Sequence, residues 1–432
     1  MTEEQLKFDV VIVGGGVAGL SAAIKLADAK FEVLVIERGN YCGAKNVMGG
    51  VIYRQPTEEI VPDFFKEAPI QRNIVETRIW LLTDKANTSF TYKNPDLNSN
   101  SYTVFRAEFD QWLAGKAEEK GVTILTDVTV TDVLRDSAGK IVGVKTDAPD
   151  GDVHSDVVIA ADGVNSLLSK KLGLHKEIKA DKVALAVKEV ISLPKNVIEE
   201  RFNLRENEGA TIEFMGKVSK GMTGIGFLYT NKDSISLGIG CLVSDYAKFK
   251  VNPSDLLEEI KQHPSFAPLI KDGVLKEYMA HLIPEGGYNE IPPLSADNFL
   301  VIGDAAMLVN GIHREGSNLA MTSGRLAAEA VIYAREKKDY SNKTLSRYRE
   351  LFNKSFIAKD LKKYKDTMGF IEHNRQFFNI YPEILSDASN EMLTVDSLPK
   401  RAKEWKILRK IFAQRTLFGI IRDLIGLARR LV

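Results

Sequence analysis

Apolar residues run unbroken from Val10 to Val13, give way to a cluster of glycines, and return at three- and four-residue spacing through Leu20, Ala23, Ile24 and Leu26. A short apolar run bounded by glycine predicts a buried strand, and the spacing after it predicts a helix packed along one side. Residues 33–36 predict a second buried strand, closed by Glu37. A helix is expected over 106–121, where Phe109, Trp112, Leu113 and Ala117 recur at helical spacing and Gly121 stops it. Strands follow over 122–126, 128–135 and 141–146, and the run 157–161 ends in Asp162-Gly163. From 183 the pattern becomes rich in strands, at 183–193, 210–215, 222–228 and 234–242, with one amphipathic helix at 253–262. Strands in succession without helices between them imply an antiparallel sheet. A last apolar strand ends at Gly303-Asp304, a long helix follows from near Gly316, and residues 341–432 are helical by pattern, with Phe352, Phe356, Leu361, Tyr364 and Phe370 marking apolar sides. The expected fold is α/β: a Rossmann-like domain from 1–180 and 290–340, an inserted, mainly antiparallel sheet domain over 181–289, and a helical C-terminal region over 341–432.

Charge and cysteine content narrow the class. The 432 residues carry 58 basic and 58 acidic side chains, a balance that argues against a nucleic-acid partner. Only Cys42 and Cys241 occur, so neither a disulfide framework nor a four-cysteine metal or iron–sulfur site can be built from this chain, and no metal site is expected. No signal peptide and no run of 18 apolar residues is evident, which predicts an intracellular chain that does not span a membrane. The charge is uneven, however. Residues 400–432 hold ten Lys or Arg and two acids, a net of +8. Trp405, Ile407, Leu408, Ile411, Phe412, Leu417, Phe418, Ile420, Ile421, Leu424, Ile425 and Leu427 interleave with them at helical spacing. Such a segment either lies in a membrane interface or docks on the protein body or a partner subunit.

The chemistry begins at Gly14-Gly15-Gly16-Val17-Ala18-Gly19. Gly14 permits the tight strand-to-helix turn, Gly16 lets a pyrophosphate approach the backbone, and Gly19 lets the helix lie against the strand. The helix N-terminus then offers free N–H groups to phosphate. Glu37, 21 residues after Gly16, is placed to accept hydrogen bonds from a ribose diol. The loop 42–53 carries Lys45 and Asn46 between glycines; it is either a solvated loop or one that passes beside a flat ring. Arg106 is a surface arginine or a phosphate or ribose contact, and Asp304 a turn residue or a ligand to a sugar hydroxyl.

These motifs, in this order, resemble the flavoprotein hydroxylase-like family of FAD enzymes, which includes aromatic monooxygenases, geranylgeranyl reductases and electron transfer flavoprotein:quinone oxidoreductases. The resemblance implies FAD, with Gly14 to Gly19 at the pyrophosphate, Glu37 at the adenosine ribose, Arg106 at the nucleotide, Val130 passing the adenine by its backbone, and Asp304 at the ribityl or pyrophosphate region. Gly316, Ser317 and Asn318 are expected beside the pyrimidine side of the flavin. The cofactor-binding set also takes in Arg38, Lys45, Asn46, Gly49, Gly50, Asp162, Gly163 and Gly303.

Within that family, residues 43–50 and 227–238 look most like FixC-type subunits. Their partners are the α and β subunits of an electron transfer flavoprotein and a small ferredoxin-like iron–sulfur subunit, and their acceptor is a quinone, menaquinone or ubiquinone. Some such complexes bifurcate electrons. The resemblance therefore implies an electron relay, cytoplasmic and held at the inner face of the cell membrane by the basic tail. By motif position alone, Lys45 or Asn46 is expected to tune the flavin edge, and His313 is either a proton donor or a packed or surface histidine. A prenyl-lipid reductase and an aromatic monooxygenase are the rival readings. The first is weakened because no tryptophan lies in the strands at 210–242, the second because of the basic tail.

Overall fold

The computed structural model describes residues 6–46, 48–97, 100–149 and 151–431, which form two compact units. The first comprises residues 6–71, 100–183 and 281–365. Its sheet runs Ser295–Ala296, Phe299–Val301, Val153–Ala160, Lys7–Val13, Val33–Ile36, Thr123–Leu125, with every neighbouring pair after the first parallel. Ile141–Thr146 and Val130–Arg135 extend antiparallel from Val153–Ala160. Parallel strands need crossovers, and both faces of such a sheet are covered, which is why Val10, Val11 and Ile12 are fully buried and read as an unbroken apolar run.

The register decides where chemistry can occur. Val13 pairs with Ala160 on one side and Ile36 on the other, and Ala160 pairs with Val301. The carboxyl ends of four strands are thus level, and the turns that follow them, at Gly14, Glu37, Ala161-Asp162 and Gly303, leave the sheet at one edge. Helix α1 (Val17–Asp28) follows the first turn and α2 (Arg106–Glu118) precedes the Thr123–Leu125 strand. Helix α3 (Ser317–Lys337) crosses α1 closely: a Cβ added at Gly324 would stand 2.2 Å from the Ala18 carbonyl oxygen, so nothing larger than glycine fits there. Tyr348, Phe352, Ile357 and Leu361, from the helices after α3, complete this core. Phe356 does not join them. It opens the Phe356–Lys363 helix with Ile357 and Leu361 on the inward side, which leaves its own ring 38% exposed.

The second unit holds residues 72–97, 184–280 and 366–431. Its sheet runs Val274–Pro284, Val183–Ser192, Ser234–Leu242, Gly224–Thr230, Glu208–Gly216, Ile70–Leu82, with Asn87–Lys93 beyond. It is mainly antiparallel, as the run of strands predicts, with Glu208–Gly216 and Ile70–Leu82 as a parallel exception. Arg72 holds that exception in place. Its side chain has no exposure, and the guanidinium donates to the carbonyls of Asn231 (2.5 Å), Glu208 (3.0 Å) and Lys232 (3.0 Å) while meeting the Glu199 carboxylate at 3.1 Å. A buried arginine is tolerated only with this degree of pairing.

The C-terminal helices belong to this unit and are fastened by a second ion pair. Arg375 reaches Asp245 through two bonds (2.6 and 3.0 Å) and donates to the Gly221 carbonyl (2.8 Å); Asp245, itself buried, also accepts from the Thr223 N–H (2.7 Å). Helices α4 (Lys400–Gln414) and α5 (Leu417–Leu431) close the chain.

Candidate cofactor site

The level strand ends build the site. Gly14 has φ +109°, and a Cβ there would stand 2.3 Å from the Ala161 carbonyl oxygen; at Gly19 it would stand 2.1 Å from the Gly14 oxygen. Both positions need glycine for the turn to close and for α1 to meet the sheet. Glu37, buried at the end of its strand, accepts the Gly15 N–H at Oε2 (2.8 Å) and the Gly39 N–H at Oε1 (2.7 Å). The carboxylate therefore braces the glycine turn. Arg38, next to it, is exposed, and Val130 begins its strand as a buried residue.

Asp110, which the sequence reading does not pick out, organises the next layer. It is fully buried on α2 and takes both Nε and Nη2 of Arg106 (2.8 and 2.9 Å) and Nδ2 of Asn46 (2.6 Å). Arg106 also donates to the Met48 carbonyl at 3.3 Å, which ties the 43–50 loop to α2; Val47 of that loop lies outside the described residues. Arg106 is only 10% exposed, so it is not a surface arginine. The i, i+4 spacing of Arg106 and Asp110 on a helix is the signal that marks the pair in the sequence.

Asp304 lies in the short 3-10 turn Gly303–Ala306, held by a bond from the Gly303 N–H to Ser323 Oγ (3.0 Å). Burial pushes its carboxyl up to about 6, against the pull of the Arg106 charge. Gly316 caps α3, the Ser317 hydroxyl donates to the Val51 carbonyl (2.9 Å), and Asn318 Nδ2 donates to Glu315 (3.0 Å). The 43–50 loop, the Asp304 turn and the α3 N-terminus are thereby joined within the same unit. Two further groups lack any sequence signal. His281, partly buried, faces the Arg106 and Arg38 charges, and burial followed by those charges pushes its imidazole down to about 4. Glu285 is pushed up to about 7 by burial alone, and its Oε2 has no hydrogen-bond partner among the described residues.

The residues fit FAD. A Cβ built at Gly163 meets nothing within 4 Å and at Gly316 only Val309 at 3.6 Å, so the backbone is open at these two places where the cofactor is expected to pass, while at Gly16 a Cβ would press on Asn46 Nδ2 at 3.1 Å. The buried Oδ1 atoms of Asp162 and Asn318 have no hydrogen-bond partner among the described residues, the state of acceptors set aside for a ligand. Lys45 is exposed at the rim of the loop. His313 is also exposed, its ring edge-on to Tyr364 at 5.0 Å. Cys42 and Cys241 are buried with their thiols pushed up to about 12, and no metal-holding group of His, Cys, Asp or Glu occurs among the described residues.

A second surface lies on the tail. In α5, Leu417, Phe418, Ile421, Leu424 and Ile425 are 46–76% exposed, whereas Gly419 and Asp423 face inward. Asp423 is bound by Arg415 (2.8 and 2.9 Å) and by the Tyr381 hydroxyl (2.8 Å). The helix is therefore inside out relative to an ordinary surface helix. On α4, Trp405, Leu408 and Phe412 are exposed at the same kind of spacing, and Lys403 is the buried residue, paired with Asp396 at 2.9 Å. No described helix is long and apolar enough to cross a membrane.

Comparison with known proteins agrees with this architecture. The chain matches the ETF-QO/FixC family C-terminal domain over residues 367–431 and FAD dependent oxidoreductase domains over 9–169 and 97–330. It is 48% identical to the protein FixC of Azorhizobium caulinodans, with 98% of each chain covered, and 42% identical to FixC of Escherichia coli K12, with 93% and 94% covered. Among solved structures, a geranylgeranyl bacteriochlorophyll reductase-like protein from Thermoplasma acidophilum has a TM-score of 0.73 at 20% identity, covering 98% of this chain and all of the other. The flavin-dependent brominase Bmp2 has a TM-score of 0.66 at 20% identity, over 98% and 99%. Those structural likenesses establish the fold, and the full-length sequence relatives establish the rest: the chain is an FAD-dependent oxidoreductase of the ETF-QO/FixC family.

Proposed function

We propose that this chain passes electrons from an electron transfer flavoprotein, made of α and β subunits, to a membrane quinone, menaquinone or ubiquinone, at the inner face of the cell membrane. Beyond family membership, the observation that carries the reading is the outward apolar face of α5, which suits a helix lying in a lipid interface next to a lipid-soluble acceptor. Electrostatics contributes less than the tail's net charge suggests. Lys403, Lys406, Lys410, Arg415 and Arg422 are paired with Asp396, Glu391 and Asp423, which leaves Lys400, Arg401, Arg409 and Arg429 among the exposed cations. At about 1 kcal/mol each near an anionic surface, those four contribute on the order of 4 kcal/mol at low salt.

FAD supplies a store for an electron pair that can be filled by one partner and emptied by another. Gly14 to Gly19, Glu37 and Arg106 hold its nucleotide and pyrophosphate, Asp162, Gly163, Gly303 and Asp304 its ribityl region, and the α3 N-terminus its pyrimidine side. Lys45 and Asn46 set the polarity at the flavin edge, with Gly49 and Gly50 keeping the backbone close, and His313 delivers a proton. With two cysteines, both buried, this chain leaves any iron–sulfur centre in the path to a ferredoxin-like partner, and with such a partner the complex is suited to bifurcation.

The test is anaerobic and spectroscopic. In the FAD-loaded chain, reduced electron transfer flavoprotein bleaches the flavin band, a menaquinone analogue restores it, and NADPH does neither. Rapid bleaching by NADPH alone would contradict the proposal and favour a reductase or monooxygenase. For Lys45, a Lys45→Met variant with unchanged flavin potential and quinone reduction removes that residue from the account.

A further inference from the structure

Residues 281–287 form a wall of the first unit that the cofactor motifs do not include. The Glu285 N–H donates to the Lys182 carbonyl (2.8 Å), which fixes the backbone there. Gly286 is pressed against the Asp304 turn. A Cβ at Gly286 would stand 2.9 Å from Cε of Met307, the residue that ends that turn with its N–H on the Asp304 carbonyl (2.9 Å). At Gly287, where φ is +58°, a Cβ would meet nothing within 4 Å, so the wall borders open space. Glu285 is therefore held beside the turn proposed to carry the ribityl chain.

The cofactor motifs leave its carboxyl without a role. Oε2 is enclosed and has no hydrogen-bond partner among the described residues, although the residue as a whole is only partly buried. The charged groups on the elements that meet it are Asp304 on the turn, Glu290 beside Gly286, His281 on the strand before it, and Lys182, whose ammonium turns to Asp181 at 3.4 Å. None of them moves the acid; burial alone pushes it up to about 7. An enclosed carboxylate without a partner is costly to ionise, and a further negative charge nearby makes it costlier. An electron pair stored on FAD with one proton adds one such charge to the site. We propose that Glu285 takes up a proton from solvent as the bound flavin is reduced and releases it on reoxidation. In balance, two electrons and two protons enter together: one proton joins the flavin with the electron pair, and the second converts the Glu285 carboxylate to its acid. The electrons come from reduced electron transfer flavoprotein. That cargo matches what a quinone requires to become a quinol. The inference rests on the placing of FAD given above and is independent of which donor or acceptor is used.

The test is an anaerobic redox titration of the FAD-loaded full chain with dithionite, repeated between about pH 6 and pH 9. The slope of midpoint potential against pH counts the protons taken up per electron pair. In the wild-type chain that count is expected to approach two above pH 7, where the oxidised chain holds the carboxylate. Glu285→Gln, which keeps the shape and cannot ionise, is expected to bring it to one over the same range with flavin content unchanged. Infrared difference spectra of the wild-type chain at pH 8 give a second reading, because reduction is expected to produce a protonated-carboxyl band that the glutamine variant lacks. A wild-type count of one above pH 7, a Glu285→Gln count equal to wild type, or no carboxyl band on reduction would each overturn the proposal. Dithionite stands in for the protein donor and no quinone is present, so these outcomes leave the electron relay standing; bleaching by NADPH alone, which contradicts the relay, leaves the proton count as it is.

Discussion

Arg106 and Asp110 show how much one pair of side chains can carry. Asp110 is fully buried and its charge is met by Arg106 and Asn46, so Arg106→Ala leaves a buried carboxylate without its cation. Breaking such a pair costs roughly 3–5 kcal/mol, and the variant is expected to show a lower melting temperature together with weaker FAD retention, read by calorimetry and by the flavin-to-protein absorbance ratio. Glu285 and His281 make opposite contributions to pH dependence. Glu285 is raised to about 7 in the folded chain, so the folded state holds its proton while the unfolded state releases it from about 4.5 upward, and stability falls between pH 4.5 and 7. His281 is lowered to about 4, so stability falls as pH drops from 6.5 toward 4. Glu285→Gln is therefore expected to stabilise the chain by on the order of 1 kcal/mol at pH 8 and to leave it unchanged at pH 4, as measured by denaturant midpoints at the two pH values.

At the level of elements, the periodicity of α5 was legible but its orientation was not. A sequence at helical spacing fixes that one face is apolar; whether that face turns in or out is decided by Asp423, whose partners Arg415 and Tyr381 bring the polar side into the protein. Replacing Phe418, Ile421 and Leu424 together by Ser is expected to leave melting temperature and flavin content unaltered while abolishing co-sedimentation with anionic vesicles. The glycine turn, by contrast, could be read directly, because a strand, a positive-φ glycine and a helix start are local matters that six consecutive residues decide. Asp110 was within reach through its i, i+4 spacing from Arg106, whereas His281 and Glu285 escaped because what distinguishes them is burial among residues distant in the chain. The 70–97 segment escaped for the same reason. Its strands are long enough to read, but Ile70–Leu82 takes its place through Glu208–Gly216, more than a hundred residues later.

Across the whole molecule, the residues proposed to hold the cofactor come from all three segments of the first unit, and the helices with exposed apolar faces come from the second. Hydrogen exchange on chains with and without FAD is expected to show protection gained within residues 6–71, 100–183 and 281–365, with the tail face of α5 unchanged; changes of equal size throughout both units would contradict that division. The division into interleaved segments also has a consequence for synthesis. The central strand Lys7–Val13 emerges from the ribosome before the other strands of its sheet, yet the sheet is not closed until Phe299–Val301 arrives, and Asp304 and the α3 N-terminus follow it. Until then the nascent chain carries an open parallel sheet and an incomplete FAD site, so it must wait, prone to stray association, through most of its translation. Loading of the cofactor is consequently a late event, and production of this protein should respond to chaperone supply more than to flavin supply.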